Sequence, residues 1–549
     1  MNIKELITLY IITMGIPSFF SHIVKNHKKI IKKIGDFEKT MNNLYLDSNS
    51  IIYDSLRSIE YTKDIQFEKE LMLKVCLKID EYINTIKPDK TVLIAFDGVA
   101  PVAKLEQQRT RRYKSDLESK IKKELNPDDK KFWDTRAITP GTKFMKKLNS
   151  YIKKYYKNQE KKYNVDEIIV SGSDQKGEGE HKIFNYIRKY ETRHKQQTTI
   201  IYGLDADLIM LALNNLPVAK WIYLYRETPE FIRYIDKNLI PNESYVLDIP
   251  LLSQTIIREM NGGLAPSNSQ QKNKLYDYIF LCFFLGNDFM PHFPSVNIRK
   301  DGIFRLMAAY RNTIGKKKNT IGKKKNLTDG KKIYWDNLYH LVEYLAEEEA
   351  TNIKKEYNSR HKLEKRFLPS DTVEEQMERY LHTPTRNREL EHYINPNEPF
   401  WEKRYYDVLF DSNDSLAFKR KVSTNFLEGL EWVMKYYTTG CYDWKWCYRF
   451  NYPPLFKDLL KFIPRWDVSL LTYNDKAVSP EVQLAYVLPK NSLKLLPVKI
   501  YVKLLKDKNH LYKDDCEMVW AFCKYIWESH VNLPHIDIEE LEDFVENIK

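Results

Sequence analysis

Five apolar, strand-like runs that each lead into acidic side chains constrain the fold of this chain most strongly. They occupy residues 43–50, 91–98, 167–181, 198–210 and 279–289. Most of them contain a stretch rich in Val, Ile, Leu, Tyr or Phe before the acid, which is typical of buried strands in a mostly parallel sheet. Helical or loop segments fill the intervals between them. We therefore predict an α/β fold with a mostly parallel central sheet flanked by helices.

The acidic side chains lie at the ends of these runs or in the glycine-rich turns that follow. Sheets of this kind bind ligands beyond the carboxyl ends of their strands, so we expect the acids to converge there. For any one acid, capping of the next helix is the alternative explanation. Their number favours a shared site. The acids are Asp47, Asp97, Glu178, Glu180, Asp205, Asp207 and Asp288.

Clustered carboxylates repel one another unless cations neutralise them, and hard divalent cations with oxygen ligands are the usual solution. The pattern therefore predicts bound Mg²⁺ or Mn²⁺. Two such ions in one site can activate a water and stabilise the leaving oxygen of a phosphodiester. We accordingly predict phosphodiester hydrolysis at a two-metal site.

A strongly basic segment, residues 97–115, follows the second of these runs. Its polar residues are spaced i, i+4, i+7 and i+8, which places them on one face of a helix. They offer an ammonium group, an amide and two guanidinium groups to a phosphate, and a terminal 5'-phosphate fits such a pocket. A solvated basic face is the alternative, but the position directly after an acid favours function. These residues are Lys104, Gln108, Arg111 and Arg112.

Longer motifs occur in order from Met14 to about residue 500: MGIPSFF, LYLDSNSIIYD, FDGVAPVAKLEQQRTRRYKS, ITPGTKFM, GEGEHKI, YGLDADLIML, FLGNDFMPHFP, YYTTGCYDWKWCYRFNYPP and PEVQLAYVLP. In these motifs the chain resembles the Xrn family of 5'-3' exoribonucleases. The resemblance implies a PIN/FEN-like nuclease core, with a mainly helical second conserved region wrapped around it.

The resemblance also implies a processive enzyme that degrades single-stranded 5'-monophosphorylated RNA to nucleoside 5'-monophosphates with Mg²⁺. By motif, the seven acids are implied as metal ligands and catalytic residues. The four polar residues of the basic segment are implied as the 5'-phosphate pocket. Asn49 matches a polar position that orders the site.

Members of that family sandwich the terminal bases between a histidine and a tryptophan. Tyr53 occupies the position of the histidine here, and a tyrosine can still stack on a base. Trp444 and Trp446 are both candidates for the partner, with core packing as the alternative. His181 and His292 lie within acid motifs and are interpreted as structural residues rather than ligands.

The order of the motifs predicts how the chain is divided. We expect a nuclease core at 14–312, a lysine-rich insertion at 313–326 in which TIGKKKN occurs twice, a second conserved region at 327–505 and a tail at 506–549 without an assigned role. Thirteen residues precede Met14, where family members normally begin. Either they pack outside the substrate channel or translation starts at Met14, and we favour the second alternative.

Composition agrees with a polyanionic partner. The chain has 88 Lys and Arg against 75 Asp and Glu, a net charge of +13, although many basic proteins bind no nucleic acid. Its six cysteines form no CxxC pair, which favours a reducing compartment. No apolar stretch is long enough for a membrane span. We expect a cytoplasmic monomer, with the nucleus left open, and a functional link to decapping enzymes.

Two other functions are compatible with the same acidic and basic motifs. One is a structure-specific or DNA-directed 5' nuclease with the same metal chemistry, because no residue in the sequence is identified as reading the 2'-hydroxyl group. The other is an inactive RNA-binding scaffold, which the presence of all seven acids disfavours.

Overall fold

The structure is a computed structural model that describes residues 18–61, 64–125, 133–227, 237–240, 243–264, 268–315, 325–412 and 414–548. The segment before Met14, the first residues of the MGIPSFF motif and most of the lysine-rich insertion lie outside these ranges.

The strands of the described residues are short. They are β1 Ile31–Lys33, β2 Asn43–Asp47, β3 Thr91–Ala95, β4 Glu167–Ser171, β5 Thr198–Tyr202, β6 Trp221–Glu227, β7 Ser244–Asp248, β8 Glu517–Val519 and β9 His530–Asn532.

The helices account for most of the remaining regular structure. They are α1 Phe19–Asn26, α2 Asn49–Arg57, α3 Asp64–Ile86, α4 Val102–Leu125, α5 Lys143–Tyr156, α6 Glu160–Tyr163, α7 Gly179–Lys189, α8 Glu191–His194, α9 Asp207–Asn215, α10 Ile249–Met260, α11 Asn268–Cys282, α12 Gly302–Tyr310, α13 Trp335–Glu364, α14 Val373–Leu381, α15 Thr383–Arg386, α16 Glu389–Ile394, α17 Trp401–Phe410, α18 Leu416–Thr438, α19 Phe456–Leu459, α20 Pro480–Val487, α21 Val498–Asp507 and α22 Ile538–Glu546.

The chain divides into two compact units. The first, which we call the sheet unit, comprises Ile23–Leu252, Asp475–Cys516 and Leu533–Lys549. The second, which we call the helical unit, comprises Met1–His22, Ser253–Asn474 and Glu517–Asn532. Each unit is therefore assembled from segments that are distant in the sequence.

The sheet unit is built on one seven-stranded sheet with the strand order β1-β7-β6-β5-β2-β3-β4. Strands β6, β5, β2, β3 and β4 are parallel, whereas β7 and β1 are added antiparallel at one edge. From β2 the chain runs outward through β3 and β4 and then returns to β5 on the other side of β2. The order reverses between β2 and β5, and ligands bind at such a switch point in open α/β sheets.

The parallel strands are apolar because helices cover the sheet. Leu46 of β2 and Ile200 of β5 lie in one buried cluster with Leu71 of α3 and Leu148 of α5. The neighbouring residue Tyr45 belongs to a different environment, since its hydroxyl group lies 2.6 Å from Nε2 of His194. Side chains of a strand alternate between its two faces, so both faces of the central strands are covered. The predicted α/β class and the mostly parallel sheet are confirmed.

The run at 279–289 does not form the strand that the sequence pattern suggested. Residues 268–282 form helix α11, and a 3-10 turn at Phe283–Leu285 follows it. Periodicity alone cannot distinguish a short continuous apolar run in a strand from one in a buried helix. Gly286 then ends the helical path with a φ of 81°, a conformation that glycine adopts without steric cost. The prediction of a strand here is wrong.

The helical unit confirms the mainly helical character predicted for the second conserved region. Its longest helix, α13, has 30 residues. A buried cluster joins Ile353 of that helix to Tyr405 and Tyr406 of α17 and to Phe522. The rings of Phe293 and Phe456 stack at 3.9 Å. None of the helices that the structure describes combines the length and the apolar character needed to cross a lipid bilayer.

A buried carboxyl group, that of Asp277 in α11, holds the backbone of the helical unit that follows the lysine-rich insertion. It accepts hydrogen bonds from the hydroxyl group of Tyr310 (2.7 Å) and from the backbone N–H groups of Leu327 (2.7 Å) and Thr328 (3.0 Å). Burial raises the pKa of Asp277 to about 8, against the effect of these donors. The folded protein therefore retains a proton that the unfolded chain releases at a lower pH.

We predict that Asp277→Asn reduces the pH dependence of stability. Between the unfolded pKa, about 4, and the folded pKa, about 8, the folded protein binds more protons than the unfolded chain, so this group makes stability fall as pH rises. From about pH 5 to pH 7 the free energy of unfolding should fall by about 2 kcal/mol more in the wild type than in the variant. Urea unfolding at both pH values measures this difference.

The matched control is Glu347→Gln, which neutralises an exposed acid on α13. It should leave the wild-type dependence on pH unchanged. If the free energy of unfolding fell equally in Asp277→Asn and in the wild type between these pH values, the raised pKa of Asp277 would be contradicted.

Candidate metal and phosphate site

Six of the seven predicted acids lie at the carboxyl edge of the sheet unit. Asp47 is the last residue of β2 and Asp97 follows β3 by two residues. The GEGEH motif after β4 forms the start of α7 and carries Glu178 and Glu180, and the motif after β5 carries the last two acids, Asp205 and Asp207, at the start of α9. The loops after four neighbouring parallel strands thus supply the acids, as the sequence pattern predicted.

Two overlapping groups of side chains have the spacing of a metal site. Carboxylate oxygens of Asp47, Glu180 and Asp205 all lie within 4.8 Å of one another, and so do ligand atoms of Glu178, Glu180 and His181. Oxygen atoms at this spacing can bind a common divalent cation. The geometry therefore admits His181 as a ligand too, although the sequence indicated a structural histidine.

The carboxylates raise one another's proton affinity. Burial raises the pKa of Asp47 well above its usual value, and the charges of Asp97, Asp205 and Glu178 raise it further. The pKa of Glu180 is raised well above its usual value by burial and by the charge of Glu178. The ammonium group of Lys104 opposes both shifts. A cation among these groups would relieve the repulsion.

Two buried oxygen atoms fit the ligand role in particular. Oδ1 of Asp47 and Oε2 of Glu180 accept no hydrogen bond from any residue that the structure describes. Buried polar atoms are nearly always bonded, so exceptions require an explanation such as an ion. Apart from the nitrogen of His181, the donors are hard oxygens, which suit Mg²⁺ or Mn²⁺. The residues present thus fit a divalent metal.

Glycine is required at two positions beside the acids. A Cβ atom on Gly179 would lie 2.5 Å from Oδ1 of Asp47, and one on Gly203 would lie 2.1 Å from Cδ1 of Leu208. Both distances are shorter than any van der Waals contact between these atom types. Gly179 of the GEGEH motif therefore allows the backbone to approach Asp47 closely, and Gly203 of the YGLDAD motif leaves space for the side chain of Leu208.

Asn49, predicted to order the site, holds the carboxylate of Asp97. Its side-chain amide donates a hydrogen bond to Oδ2 of Asp97 (2.5 Å), and its side-chain oxygen accepts one from the backbone N–H of the same residue (3.1 Å). The backbone N–H of Gly179 donates to the other carboxylate oxygen at 2.7 Å. These bonds fix the orientation of Asp97 without using all of its acceptor capacity.

The basic segment forms helix α4, as predicted, and its first turns adjoin the acids. Nζ of Lys104 lies 2.7 Å from Oε1 of Glu178, and the two side chains are only 11% and 5% exposed. This low exposure argues against a solvated basic face. Lys104 thus lies between the acid cluster and the remaining polar residues of the helix.

The guanidinium group of Arg112, two helical turns further along, is buried in a cationic environment. Burial lowers the pKa of Arg112 to about 10, the phenol of Tyr53 raises it, and the charges of Arg111 and Arg136 lower it further. Its Nη1 donates no hydrogen bond to any described residue, and Oε1 of Gln108 likewise has no described partner. A buried donor among other cations suits an anion such as a phosphate.

Sequence reasoning missed three basic residues at this edge. Arg136 is held by Asp134 (2.7 Å) and Asp116 (3.0 Å). Burial lowers the pKa of Arg226 to about 10, and the charge of Asp205 opposes that shift. Arg226 directly follows the apolar and aromatic residues 221–225 of β6, and this position was the available signal.

The third missed residue, Lys182 of α7, joins the loops after β3 and β4. Its ammonium group donates to the carbonyl oxygens of Phe96 and Gly172, both at 2.7 Å. Burial lowers the pKa of Lys182 to about 8, and the charges of Asp97 and Asp174 oppose that shift. A lysine among the acids of GEGEHKI carries no sequence signal that separates it from a solvated one.

The seventh acid, Asp288, belongs to the helical unit. It lies in the tight turn after Gly286, where Oδ1 of Asn287 accepts hydrogen bonds from the N–H groups of Phe289 and Met290, both at 2.9 Å. A Cβ atom on Gly286 would lie 2.7 Å from the backbone nitrogen of His292, so the turn requires glycine.

The predicted stacking residues are divided between the units. Tyr53 lies on α2 of the sheet unit and packs partly against its core. In the helical unit, Trp444 and Trp446 are each only 8% exposed. The ring of Trp446 stacks on Trp432 at 5.2 Å, and its indole N–H donates to Glu428 at 3.4 Å. Both tryptophans are thus largely engaged in packing.

Comparison with protein-family models gives two matches that follow one another along the chain. The XRN 5'-3' exonuclease N-terminus matches residues 14–228. The Xrn1 helical domain matches residues 269–393 and 386–549.

Curated relatives include the 5'-3' exoribonuclease 2 homolog of Drosophila melanogaster, which is 25% identical over 96% of this chain and 70% of its own length. The 5'-3' exoribonuclease 2 of Gallus gallus is 26% identical over 97% of this chain and 70% of its own length. The 5'-3' exoribonuclease 1 of Saccharomyces cerevisiae is 29% identical over 88% of this chain. The match spans only 40% of that yeast protein.

We predict that Gly179→Ala weakens divalent-metal binding. The added methyl group would displace the Asp47 carboxylate, because the Cβ position lies 2.5 Å from Oδ1. Displacing a ligand in this way should lower the affinity for Mn²⁺ by about 10- to 100-fold. Isothermal titration calorimetry with Mn²⁺ measures the change.

The matched control is Gly35→Ala, where the new methyl group would have no neighbour within 4 Å. The control should bind Mn²⁺ with wild-type affinity. Wild-type affinity in Gly179→Ala would show that Asp47 does not coordinate the metal.

Proposed function

The chain belongs to the XRN family of 5'-3' exoribonucleases, and we propose that it degrades single-stranded RNA with a 5'-monophosphate processively, releasing nucleoside 5'-monophosphates. One observation carries the proposal. The acid cluster and the basic helix α4 meet at the contact of 2.7 Å between Lys104 and Glu178, so a metal site and a phosphate site adjoin within one unit. Hydrolysis at one fixed distance from a terminal phosphate requires such a pair of sites.

The family and the acid cluster imply a divalent metal, and we propose two Mg²⁺ ions, which Mn²⁺ can replace. Asp47, Glu180 and Asp205 would hold one ion, and Glu178 with the remaining acids would contribute to the second. When bound, two ions activate a water and stabilise the leaving oxygen. Asp288 is proposed as the seventh ligand from its place in the FLGNDF motif.

The polar face of α4 is proposed to bind the 5'-phosphate. Lys104, Gln108, Arg111 and Arg112 would surround one phosphate, and the unbonded Nη1 of Arg112 supports this role. A pocket that accommodates a single phosphate would disfavour RNA with a cap or a 5'-triphosphate. Fixing the terminal phosphate also fixes which phosphodiester lies at the metal site, so the chain would be shortened one nucleotide at a time.

Tyr53 and one of the two tryptophans, Trp444 or Trp446, are proposed to stack on the terminal bases. Stacking on an aromatic ring is tolerant of base identity, which suits an enzyme that degrades RNA of any sequence. Asn49 is proposed to order the site through its two hydrogen bonds to Asp97. His181 joins the candidate ligands on the strength of its spacing.

We further propose a cytoplasmic monomer that acts on RNA after decapping. A decapping enzyme leaves the monophosphate end that the pocket would select. The six cysteines are free, in keeping with a reducing compartment. The nuclease core at 14–312, the insertion at 313–326, the second conserved region at 327–505 and the tail at 506–549 remain the proposed functional divisions.

Cleavage of matched RNA and DNA strands with 5'-hydroxyl, monophosphate or triphosphate ends tests the proposed substrate. We expect monophosphorylated RNA to be degraded fastest, with nucleoside 5'-monophosphates as the products. Equal cleavage of all ends would contradict the phosphate pocket. Faster cleavage of DNA than of RNA would identify a DNA-directed 5' nuclease instead.

We predict that Asp205→Ala and Asp207→Ala each abolish cleavage and retain binding of single-stranded RNA. Each variant removes a proposed metal ligand and leaves the basic residues in place. Turnover should fall by at least about 10²-fold, the cost of removing one group that stabilises transition-state charge. Single-turnover kinetics and fluorescence anisotropy measure the two properties.

Asp166→Ala is the control, because it removes an acid of the sheet unit with a side chain 67% exposed. It should cleave RNA at the wild-type rate. Retained turnover in Asp205→Ala and Asp207→Ala would exclude them as ligands, whereas loss of RNA binding together with turnover would indicate misfolding.

We predict that replacing Arg111 and Arg112 together by glutamine removes the preference for monophosphate ends. The two guanidinium groups supply most of the positive charge of the proposed pocket. The ratio of kcat/KM for monophosphorylated over hydroxyl-ended RNA should approach one. The variant with Lys154 and Lys157 both changed to glutamine loses the same charge from exposed positions of the sheet unit and should keep the wild-type ratio. An unchanged ratio in the arginine variant would move the pocket elsewhere.

A further inference from the structure

Helix α4 has a second set of contacts on the side opposite the proposed phosphate pocket. With 3.6 residues per turn, the pocket residues share one side of the helix. The residues on the other side are Glu106, Arg109, Tyr113 and Lys120. This other side meets segments from the end of the chain that also belong to the sheet unit.

Arg109 is the centre of these contacts. It is only 2% exposed. Its Nη2 donates to the carbonyl oxygens of Pro534 (2.9 Å) and Leu511 (3.4 Å), and its guanidinium group lies 5.6 Å from the centre of the Tyr486 ring. A buried charge is costly unless it is hydrogen-bonded, so these bonds join α4 to both segments.

Further bonds run along the length of α4. The hydroxyl group of Tyr486 donates to the carboxylate of Glu106. The backbone N–H of Ala100, just before the helix, donates to Oε1 of Gln483 at 3.0 Å. Near the other end, Nζ of Lys120 donates to the carbonyl oxygen of Asp514 at 3.0 Å.

We call these partners the C-terminal brace and define it as residues 480–487, 511–515 and 534, all of which belong to the sheet unit. Within it, the hydroxyl group of Tyr512 donates to the carbonyl oxygen of Ala485 at 2.8 Å. The brace therefore contacts α4 near its start, middle and end. It includes part of the segment 506–549, for which the sequence suggested no role.

These contacts matter for selectivity between 5' ends, because the proposed phosphate pocket works only if its side chains lie at the right distance from the metal site. Displacing a group that orients a substrate by about 1 Å can cost about 10²-fold in rate. Helix α4 carries the proposed phosphate ligands on one side and is held on the other side. Its position relative to the acids therefore depends on the brace.

We propose that the C-terminal brace positions α4 and thereby sets the selectivity for a 5'-monophosphate, with Arg109 as its central positioning residue. The proposal rests on the proposed function of the polar face of α4. It predicts a specific defect. Loosening the brace disturbs recognition of the terminal phosphate while the metal site continues to hydrolyse hydroxyl-ended RNA.

The test uses the full chain with Arg109→Met and, as a milder change, Tyr486→Phe. We expect Arg109→Met to lower the ratio of kcat/KM for monophosphorylated over hydroxyl-ended RNA by about 10-fold. Tyr486→Phe removes one hydrogen bond and should lower the ratio by about threefold. Arg109→Lys should restore part of the ratio, because it can still donate to a carbonyl oxygen.

Arg404→Met is the matched control. Its guanidinium group also donates to backbone carbonyl oxygens, those of Tyr393 (2.9 Å) and Pro399 (2.8 Å) among them, but it lies in the helical unit. It should change the melting temperature without changing the ratio. An equal decrease in the kcat/KM ratio in Arg404→Met would overturn the proposal, since a general loss of stability would then explain the effect.

The remaining outcomes are equally decisive. If the wild type selects monophosphate ends and both brace variants keep that selectivity, the brace has no positioning role. A parallel loss of activity on both substrates, with the ratio unchanged, would also reject it. Tyr486→Phe decides the question alone if Arg109→Met does not fold. If the wild type does not discriminate between the two ends, the proposed function fails and the brace proposal fails with it.

Discussion

Repulsion among buried carboxylates is the constraint on which this structure depends. Burial and neighbouring acids raise the pKa values of Asp47 and Glu180. The fold therefore holds carboxyl groups that disfavour one another's ionised form. The parallel sheet imposes this arrangement, because the carboxyl ends of β2, β3, β4 and β5 meet at one edge. Lys104 offsets part of this repulsion, and a bound divalent cation would offset more of it, which links the fold to metal-dependent hydrolysis.

The protein's own cations complete the site. Lys104 pairs with Glu178, Lys182 holds the loops after β3 and β4, and Arg226 opposes the charge of Asp205. Because Lys104 belongs to α4, the helix that carries the proposed phosphate ligands begins at the acid cluster. The proposed metal site, the proposed phosphate site and the contacts of Arg109 thus belong to connected elements within the sheet unit.

The sequence predicted the central strands and the acids that follow them because both depend on local patterns: apolar runs, glycine-rich turns and helical spacing. It did not distinguish the helix at 268–282 from a strand, since a continuous apolar run suits either. The role of Arg109 depends on Leu511 and Pro534, 402 and 425 residues away along the chain, and no local pattern reports such contacts. The position of Arg226 in β6 was visible in the sequence, but its proximity to Asp205 was not, because that proximity depends on strand order.

Anomalous diffraction from crystals soaked in Mn²⁺ tests whether these carboxylates bind a metal, because it locates the ion without relying on activity. We expect anomalous peaks among the carboxylates of Asp47, Glu180 and Asp205, with oxygen atoms about 2.0 to 2.2 Å away. Ordered carboxylates with no anomalous peak between them at saturating Mn²⁺ would contradict this expectation. The acids would then be a structural cluster rather than a metal site.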